Sequence, residues 1–128
     1  MYKYYQPNMK DIKDKYGDCV IRALTKVLNK TWLEVFDDIT PLSRELQCPH
    51  DCPQCYIPYL ESKGFKKQIV SNKKGSKRPT VSGFAEKQKQ GVYFLQIANH
   101  VVAVVNGVYY DIWDCGRSSV YSYWVKED

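Results

Sequence analysis

The segment 100–114 constrains the fold more than any other part of this 128-residue chain. Its sequence, HVVAVVNGVYYDIWD, has two runs rich in Val, Ile and Tyr on either side of Asn106-Gly107. Asn-Gly is typical of a two-residue hairpin turn, because both turn positions need a positive φ. The segment therefore predicts two antiparallel strands, with Val105 opposite Val108.

The same register predicts which side chains of the hairpin share a face. One face is expected to belong to the core because it is almost wholly apolar: Val101, Ala103, Val105, Val108, Tyr110 and Ile112. The other face carries His100, Asp111 and Trp113 beside apolar neighbours. Diagonal neighbours on one face lie about 7–8 Å apart at the backbone. Asp111 is therefore expected to hydrogen-bond His100 and orient its ring.

The first half of the chain has helical patterns. Apolar residues recur at three- and four-residue spacing over 19–29, after Asp18, a typical N-cap. Thr31 and Glu34 form a capping-box pair for a second helix, which is expected to end at Pro41. Further helices are predicted over 43–47, over 56–64 and, capped by Thr80 or Ser82, over 84–91, with a strand over 65–70.

Residues 1–16 show no period and are predicted to be an extended arm or loop. Two more strands are expected on either side of the hairpin, over 92–98 and 118–126. Helices followed by consecutive strands predict a single α+β domain over residues 1–128, with N-terminal helices packed on a C-terminal antiparallel sheet.

Composition excludes several classes of protein. The chain is 44% hydrophobic, which argues against disorder, and it has no run of about 20 apolar residues that would predict a membrane span. The net charge of +5 is compatible with an anionic partner but does not require one. The chain has five cysteines, an odd number that cannot all pair in disulfides within the chain. This favours a reducing compartment, so a cytoplasmic location is expected.

Cys19 is the candidate nucleophile. It follows Asp18 at the predicted start of a helix, where the positive end of the helix dipole stabilises a thiolate. Its backbone N–H has no intrahelical partner and can hold an oxyanion. Together with His100 as base and Asp111 as the group that orients it, this is the constellation of a cysteine hydrolase.

The segments GDCVIRAL and NHVVAVVNGVYYDIWDCG resemble the papain-like cysteine peptidase superfamily, particularly short bacterial and phage members related to the double-glycine leader peptidases. The resemblance implies that Cys19 is the nucleophile, His100 the general base and acid, and Asp111 the orienting residue. It also implies that Trp113 covers the active site. A peptide or other amide-bearing substrate and no required cofactor are expected.

One feature departs from that family. Its members usually carry a Gln a few residues upstream of the nucleophile, which donates a hydrogen bond to the oxyanion. Here the nearest upstream amides are Gln6 and Asn8, 13 and 11 residues before Cys19. If either supplies the oxyanion donor, the N-terminal arm must fold back towards Cys19.

A Cys/His-rich loop covers residues 48–55. Cys48, His50, Cys52 and Cys55 are four soft ligands within eight residues, which is compatible with a structural zinc ion and also with free thiols. Cys115 is a possible ligand from outside the loop. Only Cys52 and Cys55 have the two-residue gap common in zinc sites.

Two alternative functions remain open at this stage. The chain is compatible with a papain-like binding or interaction protein that has lost turnover, which the missing upstream Gln favours. It is also compatible with a zinc-stabilised nucleic-acid-binding module, since Lys73, Lys74, Lys77 and Arg78 form a basic cluster. A solvated loop is the preferred interpretation of that cluster, so nucleic acid is not the expected partner.

Overall fold

In a computed structural model, which describes residues 1–70 and 77–126, the chain forms helices packed on a mixed sheet. The helices are α1 (Cys19–Leu28), α2 (Trp32–Leu46), α3 (Pro53–Ser62) and α4 (Val81–Lys87). The strands are β1 (Tyr2–Tyr4), β2 (Phe65–Ile69), β3 (Val92–Ile97), β4 (His100–Val105), β5 (Val108–Asp111) and β6 (Ser122–Lys126). The α+β class is therefore confirmed.

The six strands of the described chain lie in the order β1-β5-β4-β3-β6-β2. Neighbours are antiparallel except β1, which pairs in parallel with β5. The prediction that residues 1–16 are wholly arm or loop was wrong for β1, because three residues are too few to show an alternating pattern. With β1 and β2 at its edges, the sheet also draws on the N-terminal half of the chain.

The central hairpin has the predicted register. Val105 pairs with Val108 and Ala103 with Tyr110. Asn106 and Gly107 both have positive φ, 50° and 80°, as a type I′ turn requires. This register brings the first residue of β4 and the last residue of β5 to the same end of the sheet.

Both faces of the sheet are covered, which corrects the expectation of one core face and one polar face. Two hydrophobic clusters cover the sheet, one on each face. Val101 and Ala103 pack with α1 in the first of these clusters. Val102, Val104 and Tyr109 from the other face belong to a second cluster, which α4 covers. The polar groups of the hairpin are therefore confined to its open end, where the strands stop.

The helices start largely as predicted but differ in length. Thr31 caps α2 through a complete capping box with Glu34. This helix continues through Pro41 to Leu46 and absorbs the short helix predicted over 43–47. α3 begins earlier than predicted, since Pro53 occupies its first turn, where a missing N–H costs nothing.

The predicted basic cluster is only partly described. Lys73 and Lys74 lie outside the described residues. The guanidinium of Arg78 stacks over the ring of Tyr121 at 4.7 Å. Within the two described ranges, no helix combines the length and apolarity needed to cross a membrane.

Candidate active site

Cys19 occupies the first position of α1. The buried stripe of this helix, which includes Val20, Ala23 and Leu24, packs in the same cluster as Val101 and Ala103 of β4. Packing on β4 holds the start of the helix beside the end of the sheet. The Cys19 side chain is partly buried there and shares a cleft with His100.

His100 and Asp111 are in direct contact. His100 Nε2 lies 2.5 Å from Asp111 Oδ2, and the side chains are 12% and 1% exposed. Because Asp111 occupies Nε2, the ring nitrogen left for the Cys19 thiol is Nδ1. The three residues singled out from the sequence as nucleophile, base and orienting group therefore lie together at one end of the sheet.

Charge interactions shift the pKa values of the Cys19 thiol and the His100 imidazole in opposite directions. Burial raises the pKa of Cys19, but the adjacent His100, the Val101 backbone amide and the charge of Arg22 bring it below its usual value. Burial lowers the pKa of His100, but its hydrogen bonds to Asp111 and Cys19 raise it to about 9. The His100 imidazolium therefore stabilises the thiolate form of Cys19 relative to that of an ordinary thiol.

A buried arginine links α1 to this group. Arg22 Nη2 lies 3.1 Å from Asp111 Oδ1, and Arg22 Nη1 lies 2.9 Å from Asp18 Oδ1. Asp18 Oδ2 in turn accepts a hydrogen bond from Trp32 Nε1 at 2.9 Å. Asp111 is therefore held between a cation and the imidazole, and its carboxylate keeps a counterion whichever charge His100 carries.

Sequence reasoning missed the role of Arg22. A charged residue on the otherwise apolar stripe of α1, four positions after an Asp, was the available signal. The same contacts correct the expected role of Asp18. It precedes α1, but its side chain makes no capping hydrogen bond, because both carboxylate oxygens bind Arg22 and Trp32.

The cleft beside Cys19 has a volume of about 340 Å³. Its walls come from the starts of α1 and α3 and from the β3–β4 turn; they include Asp51, Pro53, Tyr56, Gln96, Asn99 and Val101. The ring of Trp113 lies outside this lining, 5.2 Å from the His100 ring and tilted by 41°. It packs beside the imidazole and is 47% exposed.

The two upstream amides are engaged elsewhere. Gln6 Nε2 donates to Asp14 Oδ1 at 2.9 Å, and Asn8 Oδ1 accepts from the Lys10 backbone at 3.0 Å. Neither residue lines the cleft that contains Cys19. The structure therefore does not bring either predicted oxyanion donor into the site.

A potential metal-binding cluster overlaps the site. Ligand atoms of His100, Asp111 and Cys115 lie within 4.8 Å of one another. Burial and the charge of Asp111 raise the pKa of the Cys115 thiol, and Arg22 already supplies a cation to Asp111. A protonated thiol and a neighbouring guanidinium make this cluster a poor cation site.

The four predicted ligands of the Cys/His-rich loop do not converge. Among the described residues, the group at His100 is the only one with three or more ligand atoms so close together. His50 Nε2 lies 2.9 Å from Thr40 Oγ1, and its ring stacks on Phe36 at 4.3 Å. The thiols of Cys48, Cys52 and Cys55 are neighbours but do not form such a group, and Cys115 lies in a different hydrophobic cluster.

Comparison of the chain with protein-family models, with curated proteins and with solved structures gave no match. The chemistry of the site itself is therefore the basis for the function proposed below.

Proposed function

We propose that this protein is a papain-like cysteine hydrolase, a peptidase or amidase that acts by thiol acyl transfer. The observation that carries the proposal is the contact of 2.5 Å between His100 and Asp111, at the end of the sheet where α1 presents Cys19. A nucleophile, a base and a group that orients the base form the minimal set for this chemistry.

The mechanism follows from the negative charge of the Cys19 thiolate and the positive charge of the His100 imidazolium. The Cys19 thiolate attacks the carbonyl carbon, and a C–S bond forms while the oxygen becomes an oxyanion. The His100 imidazolium then donates its proton to the leaving amine as the C–N bond breaks. Water attacks the resulting thioester, His100 accepts the proton of that water, and the C–S bond breaks to release the acid and restore the thiolate.

The start of α1 supplies an oxyanion donor. The first N–H groups of a helix have no intrahelical partner, and Cys19 is the first residue of α1. Its own backbone N–H is therefore available to the oxyanion, and the positive end of the helix dipole adds to the stabilisation.

Trapping the acyl-enzyme tests this proposal. With 4-nitrophenyl acetate, we expect the protein to become acetylated at Cys19 and to release 4-nitrophenol over many turnovers. Cys19→Ser and His100→Ala should abolish acetylation at this position, whereas Cys52→Ser, a thiol outside the cleft, should retain it. Absence of both acetylated Cys19 and Cys19-dependent release of 4-nitrophenol in the folded protein would refute the proposal.

A second candidate function is supported by Gln6 and Asn8. Neither lines the cleft, and a side-chain oxyanion donor is worth about 10²–10³ in rate. A papain-like protein that binds its ligand without efficient turnover fits this observation. Acetylation of Cys19 that stops after a single turnover would favour this function over hydrolysis.

A further inference from the structure

Gln96 in the cleft has a hydrogen-bonding arrangement that the mechanism does not use. It lies on β3 opposite Ser122 of β6, and its side chain lines the cleft that contains Cys19 and His100. The Ser122 hydroxyl donates to Gln96 Oε1 at 2.8 Å. Ser122 is 6% exposed, so this bond lies in the protein interior and orients the amide.

The orientation leaves a donor for a ligand. Gln96 Nε2 donates to no partner in residues 1–70 and 77–126, although the Oε1 atom of the same amide is engaged. A side-chain amide has two N–H donors and one acceptor oxygen. The polar group that Gln96 offers to the cleft is therefore a donor, and its natural partner is an oxygen atom.

The rest of the lining selects among oxygen-bearing groups. Tyr56, Pro53 and Val101 provide apolar walls, which favour a neutral group over a charged one. Asp51 lines the same cleft, and its carboxylate disfavours a second anion. A neutral carboxamide satisfies all of these conditions.

We infer that the cleft is a specificity pocket for a carboxamide side chain, as in Asn or Gln, next to the bond that Cys19 attacks, with Gln96 as the recognising donor. This inference rests on the proposed function and adds a substrate class to it: peptides with an amide side chain beside the cut bond. An apolar analogue would leave the polar group of such a pocket without a hydrogen-bond partner, so the pocket discriminates strongly against that analogue.

Matched peptide probes test the inference. Asn and Leu side chains have nearly the same shape, so acetyl-Gly-Asn and acetyl-Gly-Leu chloromethyl ketones differ mainly in the polarity of the residue beside the reacting carbon. Each alkylates the Cys19 sulfur with loss of chloride, and mass spectrometry gives the second-order rate constant. We expect the Asn probe to react about tenfold faster than the Leu probe, the effect of one good hydrogen bond.

Three variants test whether the Gln96 side chain causes the preference for the Asn probe. In Gln96→Leu the ratio of the two rates should fall to about one, since the donor is gone. Gln68→Leu makes the same change in β2, outside the cleft lining, and should keep the native ratio. Ser122→Ala frees the amide to rotate and should lower the ratio, which decides the question if Gln96→Leu does not fold.

The outcomes distinguish this inference from the proposed function. Iodoacetamide is too small to require the pocket and reports only on the thiolate of the unmodified protein. If iodoacetamide reacts rapidly at Cys19 but the Asn probe is no faster than the Leu probe, the pocket inference is wrong and the hydrolase proposal stands. A preference for Asn that survives in Gln96→Leu would also overturn it. A slow reaction with iodoacetamide would count against the proposed function itself.

Discussion

Replacing Arg22 with Met tests whether a buried cation holds the candidate active site together. Arg22 is 3% exposed, and the two carboxylates that it contacts, Asp18 and Asp111, are 8% and 1% exposed. Met keeps an unbranched apolar side chain but removes the charge and all the donors. The substitution therefore leaves two buried anions without their shared counterion.

The expected loss of stability follows from the remaining contacts. Removing one partner of a buried ion pair costs about 3–5 kcal/mol. Asp18 keeps the hydrogen bond from Trp32 at 2.9 Å, and Asp111 keeps its contacts with His100 at 2.5 Å and with the Ile112 backbone at 2.8 Å. We therefore expect the lower end, about 3 kcal/mol, a large part of the 5–15 kcal/mol that is typical of a domain.

Urea unfolding at pH 7 measures this loss. Arg44→Met removes a charge from an exposed position of α2 and should change the free energy of unfolding by less than about 0.5 kcal/mol. Asp111→Asn should cost at least about 1 kcal/mol less in the Arg22→Met background than alone, because one of the two cationic partners of Asp111 is already gone. A loss below about 1 kcal/mol for Arg22→Met, or strict additivity of the two substitutions, would refute the reasoning.

Two further predictions concern stability alone. Thr31→Ala removes the side chain that accepts from the Glu34 backbone at 3.1 Å and should lower the free energy of unfolding by about 1 kcal/mol; an unchanged urea midpoint would contradict the importance of this cap. In Gly116→Ala, the new methyl group would collide with the Tyr109 hydroxyl and lie 2.9 Å from Asp114 Oδ1, disturbing the Tyr109–Asp114 hydrogen bond of 2.6 Å. We expect a loss of about 1–3 kcal/mol. Gly17→Ala is the control, since a methyl group there meets nothing within 4 Å; equal effects of the two substitutions would show that the collision is relieved without cost.

The hairpin could be predicted from sequence because its turn is local. Asn106-Gly107 determines the register of β4 and β5, and the register determines that His100 and Asp111 meet. The start of α1 was equally predictable, since the apolar spacing begins directly after Cys19. These features depend on neighbours within a few residues, which a sequence displays.

The features that sequence reasoning missed depend on contacts between distant segments. Arg22 and Asp111 are 89 residues apart and meet only because α1 packs on β4. Gln96 is one of several amides in the chain, and only its pairing with Ser122 across β3 and β6 orients it. The second cluster on the far face of the sheet was missed because α4 is short and its apolar residues are few.

The pH dependence of alkylation at each cysteine tests the central claim most directly. Cys19 has a lowered pKa and His100 a pKa raised to about 9, so His100 should be charged at neutral pH and should favour the thiolate form of Cys19. We therefore expect the rate of Cys19 alkylation by iodoacetamide to rise with pH around a midpoint below that of an ordinary thiol, about 8.5, with a second change near pH 9 as His100 loses its proton. Cys115, buried and with a raised pKa, should stay unmodified in the native protein.

His100→Ala provides the decisive comparison in the same measurement. Without the imidazolium, the alkylation rate of Cys19 should rise with pH only towards the midpoint of an ordinary thiol, about 8.5, and should be much slower at pH 6–7. Peptide mapping by mass spectrometry assigns the rate to Cys19. A Cys19 profile that is the same in the native protein and in His100→Ala, with an ordinary midpoint in both, would contradict the account.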